Sequence, residues 1–118
     1  MATIKSYTDI EQSRKLVEIL PLESADMYWW SSGKRYYIEA MDDGDFNKEE
    51  GHVRAWSLAA LLGVLPNDTD IVKAEADTEN EKYMCTVGIK DDIISTFANN
   101  PVDVCVEMIE KLHKLNLL

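Results

Sequence analysis

The sequence predicts an α+β fold: an antiparallel sheet of four to five strands with three helices mainly on one face, in the order α-ββ-α-ββ(β)-α. Three observations carry that expectation. Two pairs of short runs rich in aromatic and β-branched residues are each split by turn-forming residues, the pattern of hairpins. Helical stripes with capping residues stand at both ends of the array and between its halves. The runs are too short, and the connections wrong, for a doubly wound parallel sheet, so helices gathered on one sheet face are the economical packing.

Thr8-Asp9-Ile10-Glu11 matches a capping box, in which a hydroxyl and a carboxylate each satisfy an orphan amide. Ile10, Leu16, Val17, Ile19 and Leu20 continue as a helical stripe and Pro21 stops it, which predicts a helix over 9–20. Met27-Tyr28-Trp29-Trp30 and the run 34–41 favour strands, and Ser31-Ser32-Gly33 between them supplies a turn in which Gly33 can take positive φ. If the loop is the two residues Ser32-Gly33, Trp30 stands opposite Arg35, Trp29 opposite Tyr36 and Tyr28 opposite Tyr37, whereas a three-residue loop shifts this pairing. One face then carries Met27, Trp29, Tyr36 and Ile38, and the other Tyr28, Trp30, Arg35 and Tyr37.

The polar, acidic segment 42–54 reads as a surface loop. Residues 55–63 are good helix formers closed by Gly63 and Pro66, and their apolar residues surround so much of the circumference that deep burial is expected. A second hairpin is expected from 71–76 and 82–88 around Asp77-Thr78-Glu79-Asn80-Glu81, with 93–97 as a fifth strand. Asn100 is a natural N-cap and Pro101 a natural first residue for the last helix. Its core stripe is Val102, Cys105, Ile109 and Leu112, widened by Val106 and Met108. Asp103 and Glu107 near its start and Lys111, His113 and Lys114 near its end suit the helix dipole.

The 118 residues fit one domain spanning 1–118, and a 46% hydrophobic fraction can fill its core without metal or disulfide staples. Cys85 and Cys105 sit in apolar periodic runs, where a buried free thiol and a reducing compartment are expected. No apolar run approaches the ~20 residues a bilayer-spanning helix needs. The N-terminal residues lack a signal peptide's apolar stretch, so a cytoplasmic location is expected. A net charge of −10 opposes binding to nucleic acid or anionic membranes and favours solubility.

Candidate chemistry is sparse. Asp43, Asp45, Asn47 and Glu49 alternate like calcium ligands, but an EF-hand loop starting at Asp43 needs Gly and Glu where Lys48 and Arg54 stand. His52, His113, Cys85 and Cys105 lie at none of the spacings that bring zinc ligands together locally. No nucleophile elbow, phosphate loop or dinucleotide fingerprint exists, so no catalytic, metal or cofactor residue is assigned. Cys85 with His52 is the one thiol pairing worth naming, and a cleft holding His52 beside a carboxylate or Cys85 would point to an enzyme. The acidic stretch from Pro66 to Lys82, with six acids and two bases, is the expected face of a nucleic-acid mimic that blocks a basic groove.

The aromatic cluster is more informative. A one-sheet domain covers only one sheet face with helices, so alternation drives some of its Trp and Tyr outward. Tyr28, Trp30, Arg35 and Tyr37 then form a partner-binding patch of the residue types that anchor interfaces, for an unidentified protein partner or a second copy; the alternative is that the 42–54 loop covers this face.

At Glu23-Ser24-Ala25-Asp26-Met27, Ala55-Trp56-Ser57-Leu58-Ala59-Ala60-Leu61-Leu62 and across 100–113 (Asn-Pro-Val-Asp-Val-Cys-Val-Glu-Met-Ile-Glu-Lys-Leu-His), the chain resembles a family of small proteins from gut anaerobes. Their genes often stand beside phage or other mobile-element genes, and no activity is assigned to them. The resemblance implies an accessory protein of a mobile element that acts by binding. Together these readings favour a non-enzymatic interaction module.

Overall fold

Asp9 opens the first helix, and it caps with Gln12: the Asp9 carboxylate accepts from the Gln12 amide at 2.8 Å while the Gln12 side chain accepts from the Asp9 amide at 3.1 Å. The expected box is therefore displaced by one residue. Thr8 is spared for a different task, because it is fully buried: its hydroxyl meets Ser13 Oγ at 2.7 Å and accepts from the Trp56 amide at 3.1 Å. Helix α1 covers Ile10–Val17, ending sooner than 20 in a turn that runs to Pro21. The structure, a computed structural model, describes residues 5–41, 46–73 and 82–118.

The described elements are α+β, but the strands form two three-stranded antiparallel sheets rather than one sheet of four to five. The first contains β1 (Met27–Ser32), β2 (Arg35–Ala40) and β3 (Val53–Ala55) in the order β2-β1-β3. The second contains β4 (Thr69–Lys73), β5 (Tyr83–Ile89) and β6 (Asp92–Ala98) in the order β4-β5-β6. Each hairpin pairs with a third strand of its own, and no described strand of one sheet is hydrogen-bonded to a strand of the other. Strand β3 lies in the segment expected to be a loop. Asn47 caps a short 3₁₀ turn over Lys48–Glu50, and Gly51 (φ 83°) reverses the chain so that Val53–Ala55 can pair with β1.

The loop between β5 and β6 is the two residues Lys90-Asp91, with Lys90 at φ 55°. Residues 74–81, the expected turn of the second hairpin, lie outside the described residues. Helix α2 covers Leu58–Val64, later than expected, because Ala55 is a strand residue and Ser57 is the N-cap. Deep burial does not hold for it: Leu61 is buried, but Ala59 and Gly63 are exposed and Leu62 is 44% exposed, since only one flank of this short helix packs on the body. Helix α3 (Pro101–Lys114) begins as expected at Asn100, and all six residues of its expected stripe are buried together with Val104.

The core joins α3, α1, Leu61, Leu65 and Trp56 to the inner side of the second sheet through Cys85, Val87 and Ala98. Helix α3 covers that side, and the other side stands open. The first sheet behaves differently. Only Tyr28 of the β1–β2 hairpin is buried, and most of β2 is exposed, so the hairpin projects from the body. The Cα radius of gyration of 15.0 Å, against about 13.5 Å for a compact chain of this length, fits that extension.

Candidate functional site

The first hairpin closes through Gly33-Lys34, not Ser32-Gly33. Gly33 takes φ 64°, the left-handed value that a two-residue hairpin loop accepts at its first central position when that residue is glycine. Trp30 consequently stands opposite Tyr37, Trp29 opposite Ile38, Tyr28 opposite Glu39 and Ser32 opposite Arg35. The slip from the expected register is two residues. An even slip preserves alternation, so Tyr28, Trp30, Arg35 and Tyr37 still share one face.

That face has a row in which β3, β1 and β2 contribute Arg54, Tyr28 and Glu39 side by side. The Tyr28 hydroxyl donates to Glu39 Oε2 at 3.0 Å. The segment leading into β3 folds over this row. His52 stacks on Tyr28 with ring centroids 5.2 Å apart, Phe46 meets Tyr28 edge-on at 5.7 Å, and the Arg54 guanidinium lies 4.4 Å from the centre of the Phe46 ring. Tyr28 is thereby reduced to 1% exposure. It cannot touch a partner as the sequence suggested, and it serves as the platform beneath the site.

The next row remains open. Trp30 and Tyr37 stack at 4.7 Å with their planes 26° apart, and Tyr37 keeps 41% of its surface exposed. Arg35 is exposed nearer the hairpin tip, paired with Ser32. Beside Trp30, a shallow recess of about 330 Å³ is walled by Tyr28, Trp30, Glu39, Glu50 and His52. The indole N–H of Trp30, one of its walls, is shielded from solvent and has no hydrogen-bond partner among the described residues. Leaving such a donor unsatisfied costs about 1–3 kcal/mol, which an incoming acceptor would recover.

His52 has a fixed tautomer. Its Nδ1 accepts from the Asn47 amide at 2.9 Å, so the neutral ring carries its proton on Nε2, 3.7 Å from Glu50 Oε2. The nitrogen on the Glu50 side can donate a hydrogen bond, but it has no lone pair with which to act as a base. Cys85 is not near this chemistry. It is fully buried in the core on β5, and burial, aided by Asp70, pushes its thiol up to about 11. Burial likewise pushes Cys105 up to about 12, with Cys85 contributing. Thiolates are disfavoured at both positions.

Other expected features fall elsewhere. Asp43 and Asp45 lie outside the described residues, Asn47 and Glu49 belong to the 3₁₀ turn, and among the described residues no group of three or more His, Cys, Asp or Glu could hold a metal ion. In the acidic stretch after Pro66, Asp68 and Asp70 are described and exposed, whereas its other four acids are among residues 74–81. His113 is exposed in the last turn of α3. No described helix is long and apolar enough to cross a membrane.

Two features escaped the sequence reading. The open face of the second sheet carries Val72, Met84 and Phe97 in register, with Ile93 beyond them; Val72, Phe97 and Ile93 are 46%, 44% and 75% exposed. Alternation in Ile93-Ile94-Ser95-Thr96-Phe97 was the available signal. Arg54 is the other. Its Nε is shielded without a hydrogen-bond partner among the described residues, a state that composition could not reveal. Comparison with models of protein families, with curated proteins and with solved structures finds no match to this chain.

Proposed function

We propose that the protein is a non-enzymatic binding module that docks a basic segment of a protein partner at the Trp30–Tyr37 end of the first sheet. The observation that carries this reading is the Trp30 indole N–H, shielded yet without an acceptor, at the edge of an exposed aromatic stack. A partner's backbone carbonyl can accept from it. Glu39 and Glu50 in the same recess favour a lysine or arginine side chain, which can also lie against the aromatic faces. The net charge of −10 steers a basic partner inward and repels nucleic acid. Binding suits the recess better than catalysis, because its lining has no hydroxyl or thiol nucleophile other than the Tyr28 phenol, and His52 offers a donor rather than a base. The resemblance to small proteins encoded beside mobile elements supports an accessory role, in the cytoplasm, where buried free thiols are at home.

The test is titration of tryptophan fluorescence with arginine-rich, lysine-rich and glutamate-rich peptides. The basic peptides are expected to bind, the acidic one not. Trp30→Phe, which deletes the N–H and keeps the ring, is expected to weaken binding about tenfold, as is Glu39→Gln. Equal affinity of wild type and Trp30→Ala for every peptide refutes the reading. Concentration-dependent sedimentation without peptide would replace the foreign partner with a second copy.

A further inference from the structure

A second cavity, of about 320 Å³, lies on the other side of His52 and has the opposite electrostatic character. Arg14 from α1, Lys48 from the 3₁₀ turn and Arg54 from β3 converge on it, and among the described residues Glu18 is the one carboxylate in its lining. In a chain of net charge −10 this is an inversion. None of the three bases has an ion-pair partner among the described residues, where every basic charge that is paired belongs to Lys5 or, when protonated, His52. The Arg54 Nε–H is shielded and lacks an acceptor among the described residues, and the guanidinium lies 4.4 Å from the centre of the Phe46 ring. The remaining wall is apolar, from Val17, Leu22 and Val53.

Three cations beside a single carboxylate repel one another, and a guanidinium fork over an aromatic ring is oriented for a planar or tetrahedral oxyanion. We propose that this cavity binds a small organic anion, with a phosphate or carboxylate head carried on an apolar or aromatic body. The head would lie on the Arg54 guanidinium with Arg14 and Lys48 flanking it, and the body would lie against Phe46 and Val17. The volume is at the lower end for small-molecule sites, and the acidic surroundings repel a polyanion, so the ligand is a small molecule and not a nucleic acid. This site does not depend on the partner-docking reading.

The test is solution NMR on the full chain, following the Arg54 Nε–H signal and the His52 and Val53 amides. The probes are phenyl phosphate, benzoate, inorganic phosphate and, as a cationic control, benzylamine. Phenyl phosphate, benzoate or both are expected to shift these signals saturably, the better of them showing which head is preferred. Inorganic phosphate is expected to bind more weakly for want of the apolar body, and benzylamine not at all. Arg54→Gln is expected to weaken binding about tenfold or more, and Arg14→Gln, an exposed position that leaves the fold intact, several-fold. Trp30→Phe should bind as wild type does. The proposal is overturned if no aromatic anion shifts these signals in the wild type, if Arg14→Gln binds as tightly as wild type, or if Trp30→Phe abolishes binding. It is also overturned if the wild type stays silent and only replacing Asp42, Asp43 and Asp45, which precede Phe46 in sequence, uncovers binding.

Discussion

Asp103 ties the start of α3 to the start of α1, and its replacement by asparagine gives a quantitative test of how the two helices are held. Its Oδ1 accepts from Lys5 Nζ at 2.9 Å and from Gln12 Nε2 at 2.8 Å, and its Oδ2 accepts from Asn100 Nδ2 at 2.8 Å. All three partners are donors, so an asparagine must aim its NH₂ at one of them and leave that donor without an acceptor. The substitution also removes a negative charge from the first turn of a helix, worth about 0.3–1 kcal/mol. With one charge-assisted bond lost at a site whose side chains are 26% and 32% exposed, and discounting for solvent screening, the total is about 2 kcal/mol. The melting temperature should fall by about 8 °C.

The pH dependence supplies the check. Burial by itself would raise the Asp103 carboxyl, but hydrogen bonds from Lys5, Gln12 and Asn100 and the Lys5 charge outweigh it, so the group lies below its usual 3.8. A depressed carboxyl contributes stability above its unfolded value and loses it as pH falls through the folded one. Urea unfolding of wild type and Asp103→Asn should therefore differ by a constant amount from neutral pH down to about 4, and the gap should shrink in more acid solution. For Lys5, burial by itself lowers the ammonium, yet bonds to Asp103 and Asp9 raise it on balance. Its share is present below the unfolded value of 10.5 and is lost as pH rises through the folded one. A gap unchanged on acidification, or a Lys5→Met/Asp103→Asn cycle that is additive within about 0.3 kcal/mol, refutes the reasoning.

Thr8→Val should cost about 2 kcal/mol in chemical denaturation, because it leaves the buried Trp56 amide and Ser13 hydroxyl without their shared partner. Lys90→Gly should stabilise by about 0.5–1 kcal/mol in the same assay, since a lysine at φ 55° carries steric cost that glycine lacks, less glycine's larger unfolded-state entropy. Cys85 and Cys105 should resist Ellman's reagent at mildly alkaline pH in the folded protein and react fully in guanidinium, because burial holds both thiols protonated; prompt reaction in the folded state would contradict the core placement.

The α+β class, the start and buried stripe of α3 and the hairpin at 27–41 were legible in the sequence because each rests on local chemistry. Asn100 and Pro101 satisfy or dispense with helix amides wherever the helix goes, and alternation assigns Trp30 and Tyr37 to one face in any register that slips by an even number. The number of sheets was decided by tertiary structure, since Val53–Ala55 is too short to declare itself and becomes a strand only because β1 offers it an edge. The same holds for the site. Alternation marked Tyr28, Trp30, Arg35 and Tyr37 alike, but burial of Tyr28 under His52 and Phe46, and the stranding of Arg54 and Trp30 without hydrogen-bond partners among the described residues, depend on where a distant segment comes to rest. Side-chain periodicity is a property of the local backbone, whereas solvent exclusion belongs to whatever the rest of the chain lays across it.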